Sequence, residues 1–223
     1  MIVLEKVSKH YNRPSGIVKA LDEIDFKVER NEFIVIRGPS GSGKTTLLLT
    51  IGGMLRPTSG RLTVAGMDPY NIDNKNRLEF RAEKIGFVFQ LFYLIPYLTV
   101  IENVLLPSGS AGGVSKGIKP RARVLLKQLN LDDRSAHFPA ELSAGEKQRA
   151  SIARAMLKKP AIILADEPTG NLDPENATGI ARCLAEIHQE GCTVIVVTHG
   201  QACDPYAQRI IRLEQGRLSS KHE

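Results

Sequence analysis

The stretch GPSGSGKT, Gly38 to Thr45, constrains this chain more than any other part of its sequence. It follows the apolar run FIVIR, which predicts a buried strand, and leads into TTLLLTI, which predicts a helix. In such a loop, glycines let backbone N–H groups close around phosphates, Lys44 reaches the β- and γ-phosphates, and the Thr45 hydroxyl can bind Mg²⁺. An unrelated glycine-rich turn is the alternative, but strand, lysine, threonine and helix occur here together. We therefore predict a nucleotide phosphate site formed by Gly38, Ser40, Gly41, Ser42, Gly43, Lys44, Thr45 and Thr46.

A second apolar run, IILADEP, ends in two acidic residues. Asp166 at the end of the predicted strand suits a Mg²⁺ ligand, and Glu167 is the candidate base that polarises the attacking water. Adjacent acids after a strand can also simply cap the next turn, and without the phosphate loop we would prefer that interpretation. With it, we expect both strands to end at the same carboxyl edge of one parallel sheet.

Two further polar residues each end an apolar run: Gln90 after KIGFVF and His199 after CTVIVVT. Either alone would be an ordinary residue at the edge of a sheet. In a parallel sheet, both side chains would face the nucleotide. His199 could then hydrogen-bond the γ-phosphate, and Gln90 could sense Mg²⁺ and the attacking water.

The stretch ELSAGEKQRASIARAM has the pattern of a helix start followed by an apolar-periodic run. Ser143 can cap the first turn and Glu146 can reach back to it. The Ser-Ala-Gly opening leaves little side chain in the way, so the same helix end is also suited to hold a phosphate. Between these segments, Pro107 to Gly117 is rich in glycine and serine and predicts a flexible surface connection.

The composition limits the setting in which the chain works. The net charge of +6 is compatible with nucleic acid, an acidic membrane surface or anionic nucleotides. The three cysteines form no Cys-x-x-Cys pair, which favours a reduced, cytoplasmic setting. The N-terminal residues mix acids and bases and do not predict a signal peptide. No apolar run approaches the roughly 20 residues of a membrane helix, so at a membrane we expect a peripheral subunit.

The motifs GPSGSGKTT, VFQ, LSAGEKQR, IILADEPTGNLD and VTH occur in the order and approximate spacing of the ATP-binding cassette (ABC) ATPases, which the chain resembles over nearly its whole length. The order of predicted elements already indicates a mixed α/β core with a helical insertion. The resemblance implies an α/β fold of the P-loop NTPase class: a RecA-like core with an N-terminal antiparallel β-subdomain and an inserted α-helical subdomain. The core and β-subdomain would cover about residues 1–90 and 160–223, and the helical subdomain about 91–159.

The resemblance also assigns roles to single residues. ATP and Mg²⁺ are the expected ligands, and Tyr11 resembles the aromatic residue that stacks on adenine. Two cassettes would meet head to tail, with Ser143 and Gly145 facing the γ-phosphate held by the other cassette. Asp173 in the loop NLD would lie along that dimer interface, or cap the following helix, or do both.

The chain departs from the family pattern Leu-Ser-Gly-Gly-Gln at two positions. Ala144 adds a methyl group where the backbone approaches phosphate, and Glu146 adds negative charge one turn from an anion. We expect activity to survive, with weaker ATP-driven closure.

ADEPTGNLD and YLTVIENVLLP resemble the branch with lipoprotein-releasing, macrolide-efflux and antimicrobial-peptide-resistance ATPases. This implies a homodimeric ATPase that drives a separate integral-membrane permease by mechanotransmission, with the partner bound between Gln90 and Thr99, at the cytoplasmic face of the inner membrane.

One alternative is a regulatory ATPase that activates cell-wall hydrolases through a membrane partner. Another is a soluble ABC ATPase acting on nucleic acid or ribosomes. The single cassette and the lack of a long heptad run or basic tail speak against nucleic acid. The cargo cannot be predicted, because the partner would recognise it.

Overall fold

The computed structural model describes residues 1–14, 16–111 and 117–219. The N-terminal strands form a three-stranded antiparallel sheet in which the first strand is central. Ile2 pairs with Val28 on one side and Val64 on the other. The strands are β1 (Ile2–Arg13), β2 (Gly16–Val28) and β4 (Ser59–Val64).

A six-stranded sheet forms the centre of the fold, in the order β5-β6-β7-β3-β8-β9. Strands β5, β6, β7, β3 and β8 run parallel, and β9 returns antiparallel to β8 around Gln215 and Gly216. The strands are β3 (Phe33–Arg37), β5 (Ile85–Phe89), β6 (Ile162–Asp166), β7 (Thr193–Thr198), β8 (Arg209–Glu214) and β9 (Arg217–Ser219). Because β5, β6, β7 and β3 are neighbours and parallel, the segments that follow them meet at one edge.

Helices cover the central sheet and fill the region between β5 and β6. They are α1 (Lys44–Ile51), α2 (Asn74–Lys84), α3 (Val100–Leu105), α4 (Ile118–Gln128), α5 (Ala144–Met156) and α6 (Pro174–Gln189). Helices α3, α4 and α5 pack on one another, and the subdomain limits near residues 90 and 160 stay a prediction.

The predicted flexible connection after Pro107 is partly wrong. A 3₁₀ helix covers Leu106–Ala111, and the hydroxyl of Ser108 is held by the carbonyl oxygen of Leu105 at 2.5 Å. Residues 112–116, the rest of that connection, lie outside the described residues.

Alternate residues of the central strands enter two different cores, one on each face of the sheet. Ile34 and Ile36 of β3 pack toward α1 and the antiparallel sheet, while Phe33 and Val35 pack toward the helices of the other face. All four side chains are fully buried. Burial on both faces explains why these strands are continuously apolar rather than alternating. The predicted α/β P-loop fold is confirmed. Among the described helices, none is long and apolar enough to cross a membrane.

Candidate nucleotide site

The phosphate loop takes its shape from glycines at the turn between β3 and α1. Gly41 and Gly43 have φ values of 78° and 105°, which L side chains rarely adopt. A Cβ atom on Gly43 would lie 2.1 Å from the carbonyl oxygen of Ala20, and one on Gly38 would lie 2.1 Å from that of Leu213. Neighbouring backbone therefore excludes larger residues at both ends of the loop. Among the described residues, no side chain caps the start of α1 at Gly43, so its first N–H groups are suited to an anion.

Lys44 folds back over this loop. Its Nζ donates to the carbonyl oxygens of Gly38 at 2.7 Å and Pro39 at 3.1 Å. The ammonium is also 3.7 Å from Oε1 of Glu167, and the side chain is only 8% exposed. The loop from β3 and the acid after β6 are thus joined through one cation.

Asp166 ends β6 beside the start of α1. Burial raises the pKa of its carboxyl group and the charge of Glu167 adds to this, while the Thr45 hydroxyl and the Lys44 ammonium lower it. Its Oδ1 is buried and has no hydrogen-bond partner among the described residues. A buried, unpaired carboxylate oxygen beside a threonine hydroxyl is a suitable donor set for Mg²⁺, which binds oxygen ligands and keeps several waters.

Glu167 follows β6 in a left-handed conformation, with φ 46°. Its backbone N–H donates to the carbonyl oxygen of Val197 at 2.9 Å, which anchors this residue against β7. Its Oε2 accepts the Thr198 hydroxyl at 3.0 Å and the backbone N–H of His199 at 3.2 Å, and lies 2.9 Å from Nδ1 of the His199 ring. The carboxylate is therefore held in one orientation by the end of the neighbouring strand. Non-glycine residues in such conformations are concentrated at functional sites.

Gln90, at the end of β5, contacts the loop that follows Glu167. Its Nε2 donates to Oδ1 of Asn171 at 3.3 Å, and Nδ2 of Asn171 donates to the Gln90 carbonyl oxygen at 3.3 Å. Gln90 thus lies against the loop of Asp173. The residues that the structure gathers at the sheet edge are Lys44, Thr45, Asp166, Glu167 and His199.

Asp173 caps α6, as one of its predicted roles requires. Its Oδ1 accepts the backbone N–H of Asn176 at 3.0 Å and its Oδ2 accepts the Asn176 side-chain amide at 2.7 Å. These bonds hold the Asn176 side chain against α5. A Cβ atom on Gly145 would lie 2.3 Å from Oδ1 of Asn176, so the close packing of α5 on α6 requires glycine there.

Ser143 caps α5 in a capping box. The Ser143 Oγ accepts the backbone N–H of Glu146 at 3.2 Å, and Oε2 of Glu146 accepts the Ser143 N–H at 2.8 Å. The second carboxylate oxygen, Oε1, accepts Nε of Arg134 at 3.0 Å. The cap is confirmed, and the contacts of this turn run to α6 and Arg134 rather than to the phosphate loop of the same chain.

Tyr11 lies near the end of β1, opposite Val18 of β2. The Lys9 ammonium lies 5.4 Å from the centre of its ring. The ring is partly exposed at this end of the antiparallel sheet. It is therefore accessible to a flat aromatic ligand.

A cavity of about 530 Å³ extends from Thr45 and Asp166 across β5. Its lining includes the aromatic residues Phe87, Phe89 and Tyr93 and the cationic residues Arg154 and Lys158 of the α5 region. The Arg154 guanidinium donates to the backbone carbonyl oxygens of Phe92, at 2.7 Å, and Tyr93. Both of those residues have positive φ, 61° and 46°. Arg154 thus stabilises an unusual turn directly after Gln90.

Sequence reasoning missed four residues of this arrangement: Thr198, Asn171, Arg134 and Arg154. Two of them had a usable signal: Thr198 is a hydroxyl residue beside His199 at the end of an apolar strand, and Asn171 begins the loop NLD that contains Asp173. The others act through contacts between residues at least 12 positions apart.

Comparison with known proteins identifies the family. The family model described as "ABC transporter" matches residues 21–170. The lipoprotein-releasing system ATP-binding protein LolD of Legionella pneumophila is 38% identical over 98% of its own length and 99% of this chain. The putative hemin import ATP-binding protein HrtA of Staphylococcus aureus is 42% identical over 99% of its length and 98% of this chain. The macrolide export ATP-binding/permease protein MacB of Burkholderia pseudomallei is 38% identical, and the chain spans only 33% of its length.

Solved structures agree with this result. The bacterial ABC transporter cassette MJ0796, solved as a dimer, superposes with a TM-score of 0.92 at 39% identity, covering 100% of this chain and 98% of that one. The same protein in a post-hydrolysis state, also dimeric and bound to ADP and Pi, superposes equally well. The predicted family, branch and enzyme class are confirmed. The chain belongs to the ABC transporter family and is one of its ATP-binding cassettes, an ATPase.

Proposed function

We propose that ATP binds with its phosphates in the loop Gly38–Thr46 and its adenine on Tyr11, and that the chain couples its hydrolysis to a membrane permease. The observation that carries this proposal is the convergence of Lys44 and Glu167 at the carboxyl edge of the central sheet, 3.7 Å apart. A phosphate held by the bare N–H groups of α1 would meet both a cation and a candidate base there.

Mg²⁺ is proposed to bind at Thr45 and Asp166, with Gln90 as a further contact. The buried, unpaired Oδ1 of Asp166 supports this. Within the described residues there is no cluster of three or more His, Cys, Asp or Glu side chains that could hold a metal alone. Phosphate oxygens and water would therefore supply the remaining ligands, as is usual for Mg²⁺ at nucleotides. The ion would neutralise charge on the phosphates.

Glu167 is proposed as the general base and His199 as the residue that contacts the γ-phosphate. The Thr198 hydroxyl and the His199 N–H fix the direction of the carboxylate. A base that is oriented before water arrives loses less entropy in the reaction. Gln90 would sense Mg²⁺ and the attacking water, and its hydrogen bond with Asn171 would connect it to the loop that follows Glu167.

The active form is proposed to be a homodimer with two composite sites. Ser143 is exposed at the start of α5, and the contacts of this turn run to α6 and Arg134 rather than to the phosphate loop of the same chain, which supports a role toward a second copy. Gly145 is buried against Asn176 of α6, so it would face the second copy through its backbone. Asp173 caps the neighbouring helix and would lie along the same interface. The dimeric state of the relative MJ0796 supports this assignment.

Ser143→Asp tests the composite site, because aspartate caps a helix as well as serine does. In a Glu167→Gln background, we expect size-exclusion chromatography with ATP to show monomers instead of dimers. The new carboxylate would face the γ-phosphate of the other copy, at a cost of about 1–4 kcal/mol in a partly solvated site. ATP should still bind each monomer.

Ser143→Asn, which also caps but carries no charge, is the matched control and should still dimerise. Thermal unfolding without nucleotide should be unchanged in both variants. A normal ATP-bound dimer of Ser143→Asp would limit Ser143 to capping α5.

The partner is proposed to be an integral-membrane permease that docks on the segment Gln90 to Thr99, which places the chain on the cytoplasmic face of the membrane. Tyr93 and Tyr97 of this segment are 59% and 77% exposed, Tyr93 also lines the cavity, and exposed aromatic residues are favoured anchors of interfaces. The names of the relatives refer to macrolide export, lipoprotein release and hemin import, although their cassettes are similar. This supports recognition of the cargo by the partner and mechanical work by the cassette.

Tyr97→Asp and Tyr93→Asp are expected to abolish co-purification of the membrane partner with the affinity-tagged chain, because each places a charge in an apolar contact. The matched control is Val124→Asp, an equally drastic change at an exposed position of α4. All three variants should keep ATP turnover of the isolated chain. Partner recovery that is equal for all three variants and wild type would place the interface elsewhere.

A further inference from the structure

The start of α5 carries a charge that conflicts with the proposed function. Glu146 lies in the first turn of this helix, where Ser143 is proposed to face the γ-phosphate of a second copy. Its side chain is only 18% exposed, so solvent screens the charge incompletely. A carboxylate this close to the most charged part of ATP would oppose closure of the dimer.

Arg134 balances this charge. Its Nε donates to Oε1 of Glu146 at 3.0 Å, while Oε2 accepts the Ser143 N–H at 2.8 Å. The same contacts lower the pKa of the Glu146 carboxyl group, the Ser143 N–H first and the Arg134 guanidinium after it. The Glu146 carboxylate therefore stays ionised. The Arg134 guanidinium balances its charge at Oε1, the oxygen that does not accept the Ser143 N–H.

The backbone around Arg134 holds it in place for this contact. Arg134 ends the 3₁₀ helix Asp132–Arg134, and its N–H donates to the carbonyl oxygen of Leu131 at 3.0 Å. Its own carbonyl oxygen accepts the N–H of His137 at 2.9 Å. A cation on an ordered turn loses less backbone entropy when it pairs than one on a free loop.

We propose that Arg134 is a positioning residue for the composite ATP site: it neutralises Glu146 and holds its carboxylate on the Ser143 N–H, so that the start of α5 can approach the γ-phosphate of a second copy. The inference rests on the proposed composite site and adds a residue to it. It also replaces the expectation that Glu146 weakens closure, because the opposing charge is paired.

A double-mutant cycle in the Glu167→Gln background tests this. Arg134→Ala should raise the dissociation constant of the ATP-bound dimer at least about tenfold, since the unpaired charge acts at both symmetric sites. Glu146→Gln, which removes the charge, should dimerise as the parent does. The double variant Arg134→Ala/Glu146→Gln should return to within about threefold of the parent. Sedimentation velocity with saturating ATP measures all four proteins.

Arg134→Lys and Lys127→Ala are the controls. The lysine keeps the charge and should recover most of the dimer, and Lys127 in α4 is an exposed cation outside this network, so its loss should have no effect. Unfolding temperatures without nucleotide should agree among the variants. If Glu146→Gln restores the ATP-bound dimer that Arg134→Ala loses, then Arg134 acts through the charge of Glu146 and not only by stabilising the fold.

Two results would overturn the proposal. Arg134→Ala could dimerise like the parent, or the double variant could be as weak as Arg134→Ala alone. If the Glu167→Gln parent still dimerises with ATP, either result would leave the proposed composite site intact and would exclude only Arg134 from it. A Glu167→Gln parent that forms no ATP-bound dimer would overturn the composite site and this inference together.

Discussion

Glu167→Gln is expected to reduce steady-state ATP turnover at least about a hundredfold, while ATP affinity stays within a few-fold of wild type. The amide keeps the size of the side chain and its position beside Thr198 and His199, but it cannot accept a proton from water. ATP would then stay bound, and the dimer would accumulate. Phosphate release measures the turnover, and light scattering with ATP measures the dimer.

Glu79→Gln is the matched control, because Glu79 is an exposed acid on α2, outside the site. It should leave turnover unchanged. If Glu167→Gln retained turnover within a few-fold of wild type, another residue would be the base, and the contacts of Glu167 would serve only to anchor the end of β6.

Lys44→Ala is expected to weaken ATP binding about ten- to a hundredfold, the range expected for the loss of charge-assisted hydrogen bonds. Turnover should fall with it. The ammonium contacts the carbonyl oxygens of Gly38 and Pro39 across the loop, so its loss removes a cation at the position where phosphate charge would lie. Titration calorimetry measures the affinity and phosphate release the turnover.

Lys127→Ala removes the same charge from α4 and should bind ATP normally. Unchanged affinity in Lys44→Ala would contradict the assignment of the phosphate loop itself. The unfolding temperature of the same samples is measured without nucleotide. A large decrease in Lys44→Ala would indicate misfolding, whereas an unchanged value would show that only ATP binding is lost.

The parts of the fold that the sequence predicted are those in which local pattern and tertiary packing agree. The strands β3, β6 and β7 are continuous apolar runs because both faces are buried, and each is followed directly by a residue of the site: Gly38, Glu167 and His199. Helix α2 was not predicted, since Phe80 is its one buried residue among those described. A helix with so narrow an apolar side has little periodicity to detect.

The unpredicted parts of the site depend on contacts between distant residues. The left-handed conformation of Glu167 is fixed by its bond to Val197, and that of Tyr93 by Arg154, which is 61 residues away. Likewise, the sequence indicated an unfavourable charge at Glu146, but not that Arg134, 12 positions earlier, neutralises it. Pairings of this kind follow from how helices and loops pack, which a single sequence does not specify.

Each ATP site is proposed to be built from two copies of the chain, and subunit mixing tests this most directly. Lys44→Ala damages the phosphate loop but keeps the start of α5, whereas Ser143→Asp does the reverse. In a mixed dimer, the intact loop of one copy would meet the intact helix of the other, restoring one site of two.

The measurement is ATP turnover of each variant alone and of an equal mixture. We predict that each variant alone is nearly inactive and that the mixture recovers turnover, up to about one half of wild type if all subunits enter mixed dimers, because each mixed dimer has one intact site of two. A mixture that stays as inactive as its components, although the two variants form mixed dimers, would contradict composite sites.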